Sequence, residues 1–390
     1  MKILQYNRLF YPEVGGRENV TRAYSKHLAK RGHEVVVFTR LSKKDLNPLE
    51  RFEGYTIVRR GIPLSGDKNF DYFIRLHQEI VDLKWLKDNL QKFSIFHVHG
   101  PHYGVSLFPY EGSKGQLILK GWEVAKKFAK VPTVLTLHGT LGGGRKRSFN
   151  IRNYLCDCKR TDVITTVTKR AKQELIRLGV SKEIIYIPNG VDLETFDPKR
   201  YYVKKDDEEF VVGYISGMDR GKGLKYLLLA IKKLIKDIKN LKLIVVGDGN
   251  RKNKDYFLTL INQLGLNHYI NLVGEIKHED IPKYLLNFDI FVLPSTLSEG
   301  LPLAVIEAMA METPVVTTNV GGVAEAVGNA GILIPPRNHE ELARALLMLY
   351  EDEGLREEMS KRGRQRVERE YNLIKVIDKI EHIYKSILQE

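Results

Sequence analysis

Short apolar runs alternate with amphipathic stretches along almost the whole chain, and no other feature restricts the fold as much. "KILQYN", "EVVVFT", "IFHVHG", "PTVLTLHG", "DVITTVT" and "IIYIPNG" come first. "FVVGYIS", "LKLIVVGDG", "INLVGEI", "DIFVLPS", "PVVTT" and "GILIPP" follow residue 209. These runs are rich in Val and Ile and lack polar alternation, as expected of strands covered on both faces. Between them lie helical stretches such as "NVTRAYSKHLAKRG" and "LKYLLLAIKKLIKDIKN". Strand–helix alternation implies parallel sheets with right-handed crossovers. The expected fold class is therefore α/β, built from Rossmann-like, doubly wound parallel sheets.

The pattern pauses once, at the polar and charged "DPKRYYVKKDDEE". A chain of 390 residues suits two or three domains. The pause divides it into a first domain at 1–197, a linker at 198–209 and a second domain at 210–372. A last helix at about 373–390 is expected to pack back on the first domain. With 43% hydrophobic and 28% charged residues the composition is that of a soluble globular protein. No apolar run approaches the roughly 20 residues that cross a bilayer. The start, "MKILQYNRLF", reads as a first strand and lacks the pattern of a secretion signal, so a cytoplasmic location is expected. Cys156 and Cys158 are too close together for a zinc pair and have no second pair to complete a site, so two reduced thiols are expected and no metal. The formal net charge of +14 favours anionic partners without choosing between nucleic acid, anionic lipid and phosphorylated substrates.

Open parallel sheets bind ligands beyond the carboxyl ends of their strands, so the residues after each strand are the informative ones. "DIFVLPS" ends at Ser295, and Pro302 suits the first position of a helix. Uncapped N–H groups and the helix dipole make such a start an anion site, which Gly300 lets an oxyanion approach closely. Glu299 lies before this helix and Glu307 more than a turn inside it. A carboxylate accepts hydrogen bonds from vicinal hydroxyls. One reading makes the stretch a three-part site, with Glu299 on a polyol, the helix start on a diphosphate and Glu307 on a ribose. The other makes Glu299 a surface residue and Glu307 a helix-face residue paired to a nearby lysine.

"EGLPLAVIEAMA" followed by "PVVTTNVGGVAEAV" resembles the signature of the family 4 retaining glycosyltransferases of the GT-B fold, in which two Rossmann-like domains face a central cleft. "FYPEVGGRENVTRAYSKHLAKRGHEV", "LTLHG", "IPNGVD" and "VVGDG" resemble further segments of that family, in order and at suitable spacings. The resemblance implies a nucleoside-diphosphate sugar as co-substrate and no other cofactor. It implies Glu307 on the donor ribose, Glu299 on sugar hydroxyls, and backbone near Gly300 and Leu301 on the sugar and diphosphate. It places Lys222 on the diphosphate, where a cation helps the leaving group without a metal. It brings Gly15 and Gly16 towards the donor phosphate and His138 towards the donor sugar. The chain departs from the family at Gly217, where an arginine is usual; Arg220 is the nearby substitute. His97, His99 and His102 are expected on the acceptor side or in structural roles.

Three rivals remain at this stage. A dehydrogenase would need a G-x-G-x-x-G opening, which "YPEVGGRENV" lacks. A nucleotide-sugar epimerase or hydrolase would share the fold and differ in what it does without an acceptor. A non-catalytic basic protein would bind nucleic acid, but the chain has no aromatic and basic residues interleaved as in a known module, so nucleic acid is not expected as a partner. The resemblance implies a hydroxyl compound as acceptor. "GRKRSFNIRNYLCDCKR", with Arg145, Lys146, Arg147, Arg152, Lys159 and Arg160 against Asp157, suggests an acidic or lipid-linked acceptor and peripheral contact with the inner membrane face. A solvated basic loop is the competing reading.

Overall fold

The structure is a computed structural model that describes residues 1–13, 15–63, 81–100, 129–139, 158–206 and 208–389, with residue 155 and two short strands at 105–106 and 118–119. The chain forms two compact units. The first holds residues up to Ile187 together with Ile374–Glu390, and the second holds Pro188–Leu373.

In the first unit the strands are β1 (Lys2–Tyr6), β2 (Glu34–Arg40), β3 (Leu49–Phe52), β4 (Tyr55–Arg60) and β5 (Ile95–His99). A small ribbon of β6 (Val105–Ser106) and β7 (Ile118–Leu119) stands apart, and β8 (Thr133–Leu137), β9 (Val163–Thr166) and β10 (Ile184–Tyr186) complete the set. The main sheet runs β10-β9-β8-β5-β1-β2-β4-β3 and is parallel except for the β3–β4 pair. β5 and β8 are buried along their whole length, which is why they read as unbroken apolar runs. The β3–β4 hairpin is not marked by such a run, because an edge tolerates charge. Its Arg59 is only 1% exposed, and its guanidinium donates to Glu50 Oε2 at 2.7 Å and to the carbonyls of Asn47 and Tyr11 at 2.9 Å. The carboxylate and the two carbonyls offset the cost of burying that charge.

The second unit carries β11 (Phe210–Ile215), β12 (Leu241–Val246), β13 (Ile270–Gly274), β14 (Ile290–Leu293), β15 (Val315–Thr318) and β16 (Ile332–Ile334). All are parallel, in the order β13-β12-β11-β14-β15-β16. The first strand lies in the middle and the chain winds outward from it in both directions, which is the dinucleotide-binding order. The charged residues after Pro198 form one 3-10 turn, Pro198–Arg200, and lie within this unit. So does the "NGV" stretch before them. Val191 N donates to Tyr371 O at 2.8 Å, and Leu373 N donates to Val191 O at 3.0 Å.

The helix Leu373–Ile387 returns to the first unit. Ile377, Ile380 and Tyr384 are buried there. Arg31, at the C-cap of the helix Gly16–Lys30, bridges Asp378 at 2.6 Å and Glu381 at 2.7 Å. Hydrogen bonds from Lys385 and Arg31 hold the Glu381 carboxyl down to about 2. Among the described residues, no helix is long and apolar enough to cross a membrane.

Candidate functional site

The winding of the second sheet reverses between β11 and β14, so the loops after these two strands flank the crevice where such folds take ligands. After β11 the chain makes a 3-10 turn, Arg220–Lys222, capped by Asp219, whose side chain accepts from Gly221 N at 2.7 Å. Gly223 follows with φ of +79°, and a Cβ there would overlap Pro294 O. Only glycine permits both the left-handed turn and this approach to the end of β14. The approach brings Lys222 to Glu299: Nζ donates to its two carboxylate oxygens at 2.7 and 2.9 Å. Ser295 Oγ, at the end of β14, donates to Glu299 Oε1 at 2.7 Å. The loop after β15 lies against the Glu299 backbone. Gly322 N donates to Glu299 O at 2.9 Å, and Gly321, at φ of +57°, has no room for a Cβ there.

The helix Leu303–Ala310 begins at Pro302 without a side-chain cap, so its first N–H groups have no side-chain acceptor. Gly300 and Leu301 lead into it, and the Leu301 carbonyl accepts from Asn189 Nδ2 at 2.8 Å. Glu307 lies inside this helix and is 4% exposed. It accepts from His278 Nε2 at 2.8 Å. Neither glutamate is therefore a surface residue, and the partner of Glu307 is a histidine, while the lysine belongs to Glu299. A cation, an uncapped helix start and two carboxylates are what a ligand with a diphosphate between two polyols calls for.

Arg220 lies over the Tyr256 ring, 4.1 Å from its centroid. Gly217 follows Ser216 at the end of β11, and a Cβ there would make only an ordinary contact, 3.5 Å from Asp248 O. Nothing in the packing requires glycine at that position.

In the first unit the winding reverses between β1 and β5. Gly15 and Gly16 open the helix after β1, His99 ends β5, and His138 follows β8. His138 Nε2 lies 3.0 Å from His99 Nδ1, and His99 Nε2 lies 3.0 Å from Gln5 Oε1. His97 is held by the Tyr384 hydroxyl at 2.5 Å and Thr136 Oγ1 at 2.7 Å. Burial pushes His97 down to about 3, and burial with neighbouring His97, His138 and Arg17 pushes His99 well below its usual value. Both are neutral framework residues at neutral pH, and His99 supports His138 from behind. Among the described residues no group of His, Cys, Asp or Glu is arranged to hold a metal. Cys158 is buried. His102, Cys156, Asp157 and the basic residues Arg145, Lys146, Arg147 and Arg152 lie outside the described residues, while Lys159 and Arg160 are within them.

Sequence reasoning missed Ser295, His278 and Asn189. Ser295 carried a signal as the last residue of an apolar run. His278 and Asn189 carried none, since their partners lie 29 and 112 residues away.

Comparison with known proteins places the chain in a family. Residues 196–366 match the family model "Glycosyl transferases group 1", and residues 14–195 match "Glycosyltransferase Family 4". The chain is 25% identical to an uncharacterized glycosyltransferase, MJ1607, of Methanocaldococcus jannaschii, over 100% of this chain and 99% of the relative. It is 26% identical to the alpha-monoglucosyldiacylglycerol synthase of Acholeplasma laidlawii, over 93% and 91%. Its fold matches sucrose-phosphate synthase of Thermosynechococcus elongatus with a TM-score of 0.80 at 22% identity, over 100% and 99%. The two parallel-sheet units are those of a GT-B glycosyltransferase, an enzyme of the hexosyltransferase type that uses a nucleotide sugar. Within that class the chain is a glycosyltransferase of the family 4 type. These matches set that reading above the dehydrogenase, epimerase and nucleic-acid readings.

Proposed function

We propose that this enzyme is a retaining glycosyltransferase that moves a sugar from a nucleoside-diphosphate sugar to a hydroxyl acceptor without a metal. The observation that carries the reading is the Lys222–Glu299 pair just ahead of the uncapped start of the helix Leu303–Ala310, whose interior holds the buried Glu307. Glu307 takes the ribose hydroxyls, the helix start and Lys222 take the diphosphate, and Glu299 takes the sugar. Lys222 Nζ has three N–H donors and gives two to Glu299, so the third is available to a phosphate oxygen. Its charge counts most as the diphosphate leaves. Arg220 supplements it in place of the arginine that the family carries where this chain has Gly217. Roles for Gly15, Gly16 and His138 on the phosphate and sugar rest on the family resemblance alone. Acceptor attack occurs on the face the diphosphate leaves, and a phosphate oxygen takes the acceptor proton, which retains the configuration.

The relative from Acholeplasma laidlawii is by name a glycolipid synthase. Together with the basic run at 144–160, this favours a lipid-linked or acidic acceptor met at a membrane surface by peripheral contact. The test is to screen nucleoside-diphosphate sugars for thermal stabilisation and then for transfer, with and without a chelator. A donor at about 100 times its Kd stabilises by about 2.7 kcal/mol. Product of unchanged anomeric configuration, formed equally with chelator, is the expected outcome. Inverted product, or donor loss that never depends on an acceptor, overturns the proposal.

A further inference from the structure

A carboxylate inside a helix of otherwise apolar residues is costly unless something donates to it. The helix Leu303–Ala310 reads LAVIEAMA, and its Glu307 side chain is 5% exposed. His278 is the donor. It begins a short 3-10 turn, His278–Asp280, after β13, and its Nε2 lies 2.8 Å from Glu307 Oε1. A carboxylate only accepts, so the proton on that nitrogen belongs to the histidine and fixes its tautomer.

The histidine is itself braced. The ring of Phe196, which is 1% exposed, lies tilted against it with centroids 5.4 Å apart. The Phe196 carbonyl accepts from Arg364 Nη1 at 2.7 Å, and the same nitrogen donates to Ala310 O at 2.8 Å. Ala310 is the last residue of the helix that carries Glu307. The contacts thus close a loop, from that helix through Arg364 and Phe196 to His278 and back to Glu307. Three separate segments are tied so that one carboxylate oxygen is held while the other is left for a ligand.

We infer that His278 is a positioning residue that sets Glu307 for reading the ribose diol, and that it therefore governs discrimination between ribonucleotides and their deoxy analogues. The inference rests on the donor-site reading above. Without His278, Glu307 loses the partner that fixes its rotamer, and its bonds to the two hydroxyls go with it.

The test titrates uridine, guanosine and adenosine diphosphates by calorimetry and compares the tightest with its 2′,3′-dideoxy form. Wild-type enzyme is expected to favour the ribonucleotide by about tenfold or more, the worth of one or two charge-assisted hydrogen bonds. In His278→Ala that ratio should fall close to one while affinity for the dideoxy compound stays near wild type, which also shows that the unit is folded. His278→Gln, whose amide N–H can replace the donor, should restore most of the ratio. If wild-type enzyme binds none of the diphosphates, or binds both forms alike, the donor-site reading fails and takes the inference with it. If wild type discriminates and Glu307→Ala does not, yet His278→Ala keeps the full ratio, the donor site stands and the inference is overturned. Loss of dideoxy affinity in His278→Ala as large as the loss of ribonucleotide affinity also overturns it, because the role would then be general scaffolding.

Discussion

Lys222 and Glu299 are expected to oppose each other in nucleotide binding. Lys222 Nζ donates to both Glu299 oxygens, so the cation proposed for the diphosphate is partly neutralised by the carboxylate proposed for the sugar. Two unit charges at the 2.7 Å of the shorter contact attract by about 1.5 kcal/mol in water and about 6 kcal/mol at an effective dielectric near 20. The side chains are 34% and 16% exposed, so solvent screening brings the net worth of the pair to about 2 kcal/mol. Glu299→Gln removes that attraction but keeps a polar group beside Ser295. The released ammonium turns wholly to the diphosphate. Free nucleoside diphosphate should then bind tighter, by up to about 30-fold, while transfer falls because an amide is a weaker partner for the sugar hydroxyls than a carboxylate.

Lys222→Ala should do the reverse and leave an uncompensated carboxylate facing the diphosphate. Nucleotide affinity should drop by about tenfold or more. The double variant Lys222→Ala/Glu299→Gln should recover part of that loss, giving a coupling of about 2 kcal/mol across the cycle. Calorimetry with the nucleoside diphosphates at low and high salt reads every corner. If Glu299→Gln weakens nucleotide binding, or if the double variant binds no better than Lys222→Ala, the ion pair does not gate the diphosphate and the reasoning is wrong.

Glu307→Ala should weaken free nucleotide and sugar nucleotide alike, by about 1.5–3 kcal/mol, and equal binding by both proteins in a titration would remove it from the donor site. Arg220→Ala should lower turnover, and adding Gly217→Arg should restore much of it, since a Cβ there makes only an ordinary contact; unaltered steady-state kinetics in Arg220→Ala would refute its role. His97 and His99 are held neutral in the folded chain and titrate near 6.5 when it unfolds. Their contribution to stability is therefore intact above pH 6.5 and is lost as the pH falls below it towards the folded value of about 3 for His97, at about 1.4 kcal/mol per pH unit for each. Urea unfolding between pH 7 and 5 should show a fall in stability, to which His33, also lowered by burial, adds, and His97→Gln should make it shallower; an unaltered slope would mean that His97 is not held neutral.

The strands of both parallel sheets were legible because burial on both faces demands unbroken apolar runs, as in β5, β8 and β14. The β3–β4 hairpin was not, since the edge strand β3 carries Glu50 and Arg51 and β4 ends in Arg59 and Arg60, charges that interrupt an apolar run. Glu299 and Glu307 could be singled out because each breaks a local pattern, one at a strand end and the other inside an apolar helix. Their contacts could not. Lys222 meets Glu299 across 77 residues and His278 meets Glu307 across 29, and no local period encodes a contact made by tertiary packing. For the same reason His97 and His99, expected from sequence on the acceptor side or in structural roles, become intelligible only beside Tyr384 and Gln5.

The return of Leu373–Ile387 to the first unit has a consequence for the order of synthesis. Tyr384, which bonds His97, and Glu381, which bonds Arg31, leave the ribosome only after the whole of the second unit. The second unit is continuous in sequence from Pro188 to Leu373 and can close as it emerges. The first unit, although translated earlier, has only Thr136 for its buried His97 and lacks the buried Ile377 and Ile380 until the last helix arrives. Along this chain the half made first is the half finished last.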